Sequence, residues 1–430
     1  MLSLAMKKYI SFSYFAAFFC LGLCLASLGP ALLDLAAQTE SDIQSIGSIF
    51  AFRAVGYLTG SSLGGFLFEV INGNYLLSCS AFVCMLGTFF IPFSKSLGVL
   101  CFCVLLQGFA MGFLDTGGNL LLLRLHAEPD PSASEPYMQA MHFSFALGAL
   151  AIPLVMSALN NLTVSFITIA ILLLVVFFNF TFVSWKFKDA KYAVPRKSGG
   201  GGEIKEGKTV TFWTRQFKEK LICIFAGLLL FVYVGAETTY GGLLYTYTHN
   251  LAWTDKDGKG VTAIYWGGLA LGRALAIPLS TKFSPNKMLA IDLVGCLICS
   301  LILVSSKSDA VIWSMSFFHG LCYASIFPAV LNAAALCVNE MDGISTSVII
   351  VGASIGDMTI PAFAAFLVVT FGMEIFPIVI LSCSIGCCLF FLGMAGFGMY
   401  YNKRRDSNSS VLGGKDVEIV NKTSVVTCTT

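Results

Sequence analysis

The sequence predicts an all-α membrane protein whose twelve transmembrane helices form two pseudo-symmetric six-helix bundles. The first observation behind this prediction is composition, because 57% of the 430 residues are hydrophobic, 12% are charged and the mean hydropathy is +0.81. The second is a succession of apolar segments of roughly 20 residues, the length that crosses a bilayer. The third is the distribution of lysine and arginine along the chain. Because little sequence remains for loops, no separate soluble domain is expected and function must reside in the bundle.

The twelve predicted spans follow one another with short connections, apart from one longer loop in the middle of the chain. Each span is long enough to cross the bilayer as a helix, which rises about 1.5 Å per residue. The spans fall at residues 10–37, 43–69, 75–94, 97–123, 136–159, 163–185, 219–247, 261–282, 286–305, 309–338, 344–371 and 374–401.

The basic residues predict that both termini are cytoplasmic. With both ends inside, twenty of the 26 lysines and arginines fall on the cytoplasmic side and four fall outside. The remaining two, Arg53 and Arg273, lie within spans. Cytoplasmic loops near helix ends are enriched in these residues, so the asymmetry supports an even number of spans. The net charge of +2 therefore reflects topology, and no nucleic-acid partner is expected.

The longer loop is basic and contains four consecutive glycines at residues 199–202. Such a composition is typical of a flexible linker. We therefore predict four parts in the chain. They are an N-terminal six-helix bundle at 1–186, a cytoplasmic linker at 187–218, a C-terminal six-helix bundle at 219–401 and a cytoplasmic tail at 402–430.

The two halves carry signs of an internal repeat. Three glycines of the first half recur at an offset of 212 residues, and small residues at helix surfaces let backbones approach closely. The pairs are Gly56 with Gly268, Gly60 with Gly272 and Gly108 with Gly320. Matches that recur in order at constant spacing favour a parallel duplication of six helices.

Four polar residues in the first half are candidates for binding a solute. Asp115 and Asn119 are four residues apart in the fourth span, so they share one face of the helix. His142 lies at a similar depth in the fifth span, and Gln139 lies about one turn below it. Polar groups also hold transmembrane helices together, but an intramembrane carboxylate usually marks a substrate or ion pathway. We therefore predict that Asp115 belongs to a binding site.

The second half contributes two carboxylates, Glu237 and Asp357, which we predict to be ion-coupling residues. Arg53 and Arg273 are candidate counter-charges within the membrane, although for Arg273 we favour a role in holding neighbouring helices together. Asn332 in the tenth span is a candidate for lining a cavity, with helix packing as its alternative.

Two aromatic residues indicate the chemistry of the solute. Tyr240 follows Glu237 closely, and Trp266 lies in the eighth span. Aromatic faces beside carboxylates and amides suit a sugar, whose C–H faces are apolar and whose hydroxyls need hydrogen-bond partners. An aromatic belt at the membrane interface is the alternative. These residues alone indicate a small polar solute.

Several longer motifs resemble a known family. They are "GFLDTGGN", "QAMHFSFALGALAIP", "FVYVGAETTYGGLLYTY", "GRALAIPLSTKFSPNKML" and "VGASIGDMTIPA". They resemble the sodium-dependent glucose transporter branch of the major facilitator superfamily, which is similar to the bacterial fucose permeases. The resemblance implies alternating access and transport of a hexose such as glucose or fucose. In the permeases a glutamate implicated in sugar binding and proton coupling matches Asp115, and a sugar-binding glutamine matches His142.

The sequence departs from the permeases at two positions. Their first helix carries an aspartate at its middle, whereas the nearest acid here is Asp34, closer to the outer end of the span. Asp34 is therefore included among the ion-coupling candidates, and a proton relay of the permease type is in doubt. The loop after the second span keeps only a loose form of the usual cytoplasmic motif, in which Glu69 supplies the acid.

We therefore expect a transporter rather than an enzyme, with no cofactor and no resident metal apart from a transported sodium ion. The expected protein is a plasma-membrane hexose transporter that functions as a monomer in the lipid bilayer, with sodium as the coupling ion and a proton as the alternative. The alternatives to this function are an uncoupled transporter of another small polar solute and a non-transporting receptor or scaffold.

Overall fold

The computed structural model describes residues 2–127, 131–159, 161–190, 192–193, 206–338 and 341–412. Fourteen α-helices lie in this part of the chain. They are α1 (Leu4–Gln38), α2 (Ile43–Ile46), α3 (Ser48–Val70), α4 (Gly73–Phe90), α5 (Leu97–His126), α6 (Glu135–Leu159), α7 (Leu162–Lys186), α8 (Glu206–Asn250), α9 (Asp255–Leu279), α10 (Pro285–Ser305), α11 (Asp309–Tyr323), α12 (Ile326–Cys337), α13 (Gly343–Phe371) and α14 (Phe376–Leu412).

Every predicted span is occupied by a helix, so the prediction of twelve membrane-crossing helices is confirmed. Among the described residues, ten helical segments are long and apolar enough to cross a membrane by length and composition, and α11 with α12 counts as one of them. The other two predicted spans are occupied by α3 and α6, which are 23 and 25 residues long.

Polar residues set the ends of several helices. Ser96, Asn161 and Asp342 each accept a hydrogen bond from the backbone N–H three residues on, at the starts of α5, α7 and α13. Such N-caps satisfy amides that the first helical turn leaves without partners. Between the ends, large apolar side chains lie on the outside of the bundle, as Val369 does at 87% exposure. An apolar exterior of this kind faces lipid.

The two halves pack by the same scheme. In the first half, α1 packs against α6, α3 against α5, and α4 against α7. In the second half, the corresponding pairs are α8 with α13, α9 with α11, and α10 with α14. The order of the pairs is the same in both halves, as a parallel duplication requires.

Glycines allow the closest of these helix crossings. A Cβ atom added to Gly56 of α3 would lie 2.2 Å from the carbonyl oxygen of Leu105 in α5. A Cβ atom added to Gly268 of α9 would lie 2.3 Å from the carbonyl oxygen of Phe317 in α11. Gly268 lies 212 residues after Gly56, and Phe317 lies 212 residues after Leu105, which is the offset found in the sequence. The repeated glycines therefore mark equivalent crossings in the two halves.

Two helices extend beyond their predicted spans. α8 begins at Glu206, inside the predicted linker, and α14 continues to Leu412, inside the predicted tail. Residues 194–205 and 413–430 lie outside the described part of the chain, so the domain boundaries remain predictions.

The tenth span is interrupted between α11 and α12. Pro328 lies in the first turn of α12 and has no N–H, so the carbonyl of Ala324 loses the partner that a continuous helix would provide. The helix also tightens at this point, because the N–H of Ala324 donates to the Leu321 carbonyl, three residues back, at 3.4 Å. The chain resumes a regular helix at Ile326. The interruption, hereafter the α11–α12 break, lies beside one of the predicted ion-coupling residues.

Candidate transport site

A continuous hydrogen-bonded chain of polar side chains lies in the first half. The hydroxyl of Tyr57 donates to Oδ2 of Asp115 at 2.5 Å, and Nδ2 of Asn119 donates to Oδ1 of Asp115 at 2.9 Å. Nε2 of His142 lies 3.1 Å from Oδ1 of Asn119. Asp115, Asn119 and His142 are all at most 6% exposed. The structure thus brings together three of the predicted substrate-binding residues and adds Tyr57.

The local sequence explains how these groups meet. Asp115 and Asn119 are one turn apart in α5, and the amide of Asn119 also donates to the backbone carbonyl of Asp115 at 3.0 Å. Tyr57 belongs to α3, which approaches α5 closely because Gly112 has no side chain. A Cβ atom on Gly112 would lie 2.3 Å from the carbonyl oxygen of Tyr57. The glycine crossing therefore places the tyrosine hydroxyl against the aspartate.

His142 lies at the boundary between the two halves. Its ring is 5.4 Å from that of Phe18 in α1 and 4.8 Å from that of Phe327 in α12. If the amide oxygen of Asn119 accepts from Nε2, the neutral imidazole keeps Nδ1 as an acceptor. The cluster therefore offers acceptors of three kinds, a carboxylate, an amide and an imidazole, beside a residue of the opposite half.

Glu237 lies in α8 among charged and phenolic groups. Its Oε1 is 3.6 Å from a guanidinium nitrogen of Arg273 in α9, and its other carboxyl oxygen accepts from the hydroxyl of Tyr233. The hydroxyl of Tyr265 donates to the Glu237 backbone carbonyl at 3.0 Å. Arg273 also lies over the ring of Phe145, in the first half, at 5.9 Å. Arg273, one of the two candidate counter-charges, therefore lies beside Glu237.

Asp357 lies in α13, where its side chain is exposed. Oδ1 of Asp357 accepts from the hydroxyl of Thr238 in α8 at 2.6 Å. Arg53 attracts this carboxylate electrostatically from the first half, and its guanidinium also donates to the Leu25 carbonyl at 2.7 Å. Asp357 and Glu237 themselves interact as like charges. Of these charges, Glu237 and Arg273 form an ion pair, and Asp357 lies within electrostatic reach of Arg53 and Glu237.

Three other predicted residues make no described contact with the side chains of Asp115, Glu237 or Asp357. Tyr240 is fully buried, donates or accepts a hydrogen bond with Ser316 at 3.0 Å, and stacks on Tyr265. Trp266 is 42% exposed and covers Gly241. Asp34 is exposed near the end of α1. Their predicted roles stay predictions.

Gln139 and Asn332 lie toward the ends of their spans that are predicted to be cytoplasmic. Nε2 of Gln139 donates to Glu135 at 2.9 Å, in the first turn of α6. Oδ1 of Asn332 accepts from the Ser134 hydroxyl at 2.7 Å, so this bond joins α12 to the first half. Asn332 therefore contributes to contact between the halves in this conformation.

Two further bonds join the halves at the same end. Glu69, at the end of α3, accepts from Arg124 at 2.6 Å and from the backbone N–H of Gly343 at 2.6 Å. Gly343 begins α13, where the helix dipole favours a negative charge. The Ser347 hydroxyl donates to the Ser61 carbonyl at 2.6 Å. These bonds close the bundle at this end, which is the end predicted to be cytoplasmic.

Three polar residues of these sites, Tyr233, Asp292 and Tyr57, were not among the predicted site residues. Tyr233 precedes Glu237 by four residues in α8, so helical spacing alone could have identified it. Asp292 of α10 is an acid within an apolar span and accepts from the Ser325 hydroxyl at the α11–α12 break. A charged residue within an apolar span was enough to mark Asp292 as a candidate site residue. Tyr57 carried no such signal, because its role depends on the crossing of two helices.

The fold and these membrane-embedded polar clusters define a membrane transporter. The chain belongs to the major facilitator superfamily, whose family model matches residues 14–356. The family assignment that the motifs suggested is thereby confirmed.

Two relatives align with most of this chain. The chain is 32% identical to "Sodium-dependent glucose transporter 1" of Xenopus laevis over 371 residues, which cover 80% of this chain and 73% of the relative. It is 31% identical to the Homo sapiens protein of the same name over 388 residues, covering 82% and 72% of the two chains.

Solved structures share the fold. The proton:xylose symporter XylE aligns with a TM-score of 0.69 at 15% identity and covers 90% of this chain and 95% of its own. The transporter FucP in its outward conformation aligns with a TM-score of 0.67 at 16% identity, covering 91% and 99%. At 15% and 16% identity, these similarities show a shared fold.

Proposed function

We propose that the protein is a secondary active transporter that carries a hexose, glucose or a fucose-like sugar, by alternating access and is coupled to sodium. The names of the 32% and 31% identical relatives support this class of substrate and ion. The relatives are transporters rather than enzymes, and no cofactor enters the proposal.

The observation that carries the proposal is the chain from Tyr57 through Asp115 and Asn119 to His142. A sugar ring presents several hydroxyls that donate and accept hydrogen bonds. Each Asp115 oxygen uses one donor from the protein and keeps capacity for a second, because a carboxylate offers about four acceptor sites. Charge-assisted bonds of this kind are stronger than neutral ones. The cluster therefore keeps acceptor capacity for sugar hydroxyls.

Coupling is assigned to Glu237 and Asp357. A sodium ion takes hard oxygen ligands such as carboxylates, and its arrival would offset the repulsion between the two acids. Its release would change the balance of charges between the halves, because Arg53 of the first half attracts Asp357 of the second. Exchange of partners of this kind biases a two-state equilibrium.

A proton is the alternative coupling ion. Arg273 at 3.6 Å from Glu237 supplies a positive charge that sodium would otherwise provide, which favours this alternative. XylE, which is 15% identical to this chain, is a proton:xylose symporter. An uncoupled transporter of another small polar solute and a non-transporting receptor or scaffold complete the alternatives.

The motion is a rocking of the two bundles about the site. Opening toward the cytoplasm requires the Glu69 bond to Gly343 and the Ser134 bond to Asn332 to break. We propose that both termini face the cytoplasm of the cell, that the membrane is the plasma membrane, and that the working unit is a monomer.

Uptake by purified protein in proteoliposomes tests the function. Labelled glucose and fucose are supplied with an inward sodium gradient, with the gradient collapsed, and with a proton gradient at equal sodium. Saturable uptake that sodium stimulates supports the proposal, and stimulation by the proton gradient alone selects the alternative ion. Absence of saturable uptake of either sugar, from vesicles that contain correctly folded protein, would favour the receptor or scaffold.

A further inference from the structure

One hydrogen atom in the second half faces two acceptors. The hydroxyl of Tyr233 lies within hydrogen-bond distance of a carboxyl oxygen of Glu237 and is 2.9 Å from the backbone carbonyl of Tyr323. A phenol carries a single hydrogen, so it cannot fully satisfy both acceptors. Tyr233 is fully buried, and no water competes for that hydrogen from the surface. The choice between the acceptors therefore depends on the charge of Glu237.

An ionised Glu237 attracts the hydrogen, because a bond to a carboxylate is roughly twice as strong as a bond to a neutral carbonyl. A Glu237 that carries a proton reverses the arrangement. Its own O–H then donates to the Tyr233 oxygen, and Tyr233 donates to the Tyr323 carbonyl, so every acceptor is satisfied. A sodium ion bound to the carboxylate also favours the bond from Tyr233 to the Tyr323 carbonyl, because the ion offsets the negative charge that attracts the tyrosine hydrogen.

The Tyr323 carbonyl terminates α11 at the α11–α12 break. The last carbonyls of a helix need partners from outside the helix. The hydroxyl of Tyr233 is such a partner, supplied by α8. Withdrawal of this hydroxyl leaves the end of α11 without its bond across the interface, at the one point where the tenth span is already interrupted by Pro328.

The helix after the break touches the first half twice. Phe327 packs against His142 at 4.8 Å, and Asn332 accepts from Ser134 at 2.7 Å. A change in the direction of α12 therefore moves a wall of the candidate sugar cluster and a contact that closes the cytoplasmic side. No other described hydrogen bond joins the Glu237 side chain to the break.

We propose that Tyr233 is a positioning residue that transmits the cation occupancy of Glu237 to the α11–α12 break, and through α12 to the sugar cluster and the cytoplasmic closure. The proposal deepens the cation-coupled transport put forward above and rests on it for its physiological consequence. The bond exchange itself depends only on the charge of Glu237. The charged or titratable groups around Glu237 are Arg273 and Tyr265 of α9, Asp357 of α13, Tyr233 of α8 and Tyr323 of α11.

Hydrogen exchange at the break tests the proposal without sugar or transport. Protein in lipid nanodiscs is compared at one fixed pH, and exchange is followed at the amides of residues 324–327. Glu237→Gln represents the occupied site, because its amide donates to Tyr233 and leaves the tyrosine hydrogen to the Tyr323 carbonyl. A gained hydrogen bond contributes about 1 kcal/mol, so exchange at the break should slow about fivefold.

The decisive comparison repeats Glu237→Gln in two backgrounds. In Tyr233→Phe, the substitution at Glu237 should no longer change exchange at the break. In Tyr265→Phe, it should slow exchange about fivefold as in the unaltered chain. Tyr265→Phe is the matched control, since it also removes one buried tyrosine hydroxyl, but one that bonds the Glu237 backbone. An equal effect of Glu237→Gln in both backgrounds would overturn the proposal, as would no effect in the unaltered chain.

A second measurement applies if Tyr233→Phe does not fold. Exchange at the break, normalised to the intrinsic rate at each pH, is measured in the unaltered chain and in Glu237→Gln, with sodium and with choline. The unaltered chain should be protected by low pH or by sodium, whichever cation occupies the site, and Glu237→Gln should keep only the response that Asp292 contributes through Ser325 at the break. Identical responses in the two proteins would overturn the proposal. A positive result here together with failed sugar uptake would contradict the transport function alone.

Discussion

Replacement of Asp115 by asparagine tests the candidate sugar cluster most directly. Asp115 accepts from Tyr57 at 2.5 Å and from Asn119 at 2.9 Å. Asparagine keeps the size but offers one acceptor oxygen and one NH₂ group. If its oxygen stays on Tyr57, its nitrogen faces the nitrogen of Asn119, and two donors meet. Asn119 can relieve this only by turning its amide, which takes its oxygen away from His142.

The expected loss follows from these bonds. A hydrogen bond to a charged group contributes about 1.5 to 3 kcal/mol, so sugar affinity should fall roughly 10-fold to 150-fold in Asp115→Asn. Equilibrium binding of labelled hexose to purified protein measures this without transport. Asp309→Asn is the matched control, since Asp309 is an exposed acid that accepts from Trp253 at 2.9 Å on the outer side, and its affinity should stay unchanged. An Asp115→Asn affinity within threefold of the unaltered chain refutes the assignment.

Two further substitutions test the closure and the helix crossings. Glu69→Gln removes the charge that accepts from Gly343, so the amides at the start of α13 should exchange about fivefold faster, and unchanged exchange would show that this bond does not hold the halves together. Gly56→Ala places a Cβ atom 2.2 Å from the Leu105 carbonyl oxygen and should lower the free energy of unfolding by about 1–3 kcal/mol. The control Gly98→Ala, which has nothing within 4 Å of its added Cβ, should not destabilise the protein. Equal melting temperatures of the two variants would contradict the close crossing of α3 and α5.

Much of the fold follows from local sequence. Span length and apolarity set the twelve crossings, and N-caps such as Ser96 set where helices begin. The repeated glycines indicated equivalent crossings, because a glycine such as Gly56 is needed wherever two backbones meet. Helical spacing also placed Asp115 and Asn119 together, since they share one face.

The remaining features depend on packing between distant helices. Spacing within α8 cannot distinguish a tyrosine that lines a cavity from one that stacks in the core, and Tyr240 proved to stack on Tyr265. The contact of Asn332 with Ser134 depends on how the two halves close, which no local pattern encodes. The bond from Tyr233 to the Tyr323 carbonyl also depends on the packing of two distant helices, so the sequence did not indicate it.

In the proposed mechanism, a cation gradient drives sugar movement through Asp357 and its neighbours. The most direct measurement is hexose accumulation in proteoliposomes under an imposed sodium gradient at equal pH on both sides, comparing the unaltered chain with Asp357→Asn. We expect the unaltered chain to accumulate sugar above the external concentration and to reverse the direction when the gradient is reversed. Asp357→Asn should retain sugar-driven counterflow but lose the response to sodium. Accumulation by Asp357→Asn with unchanged sodium dependence would contradict the proposed mechanism.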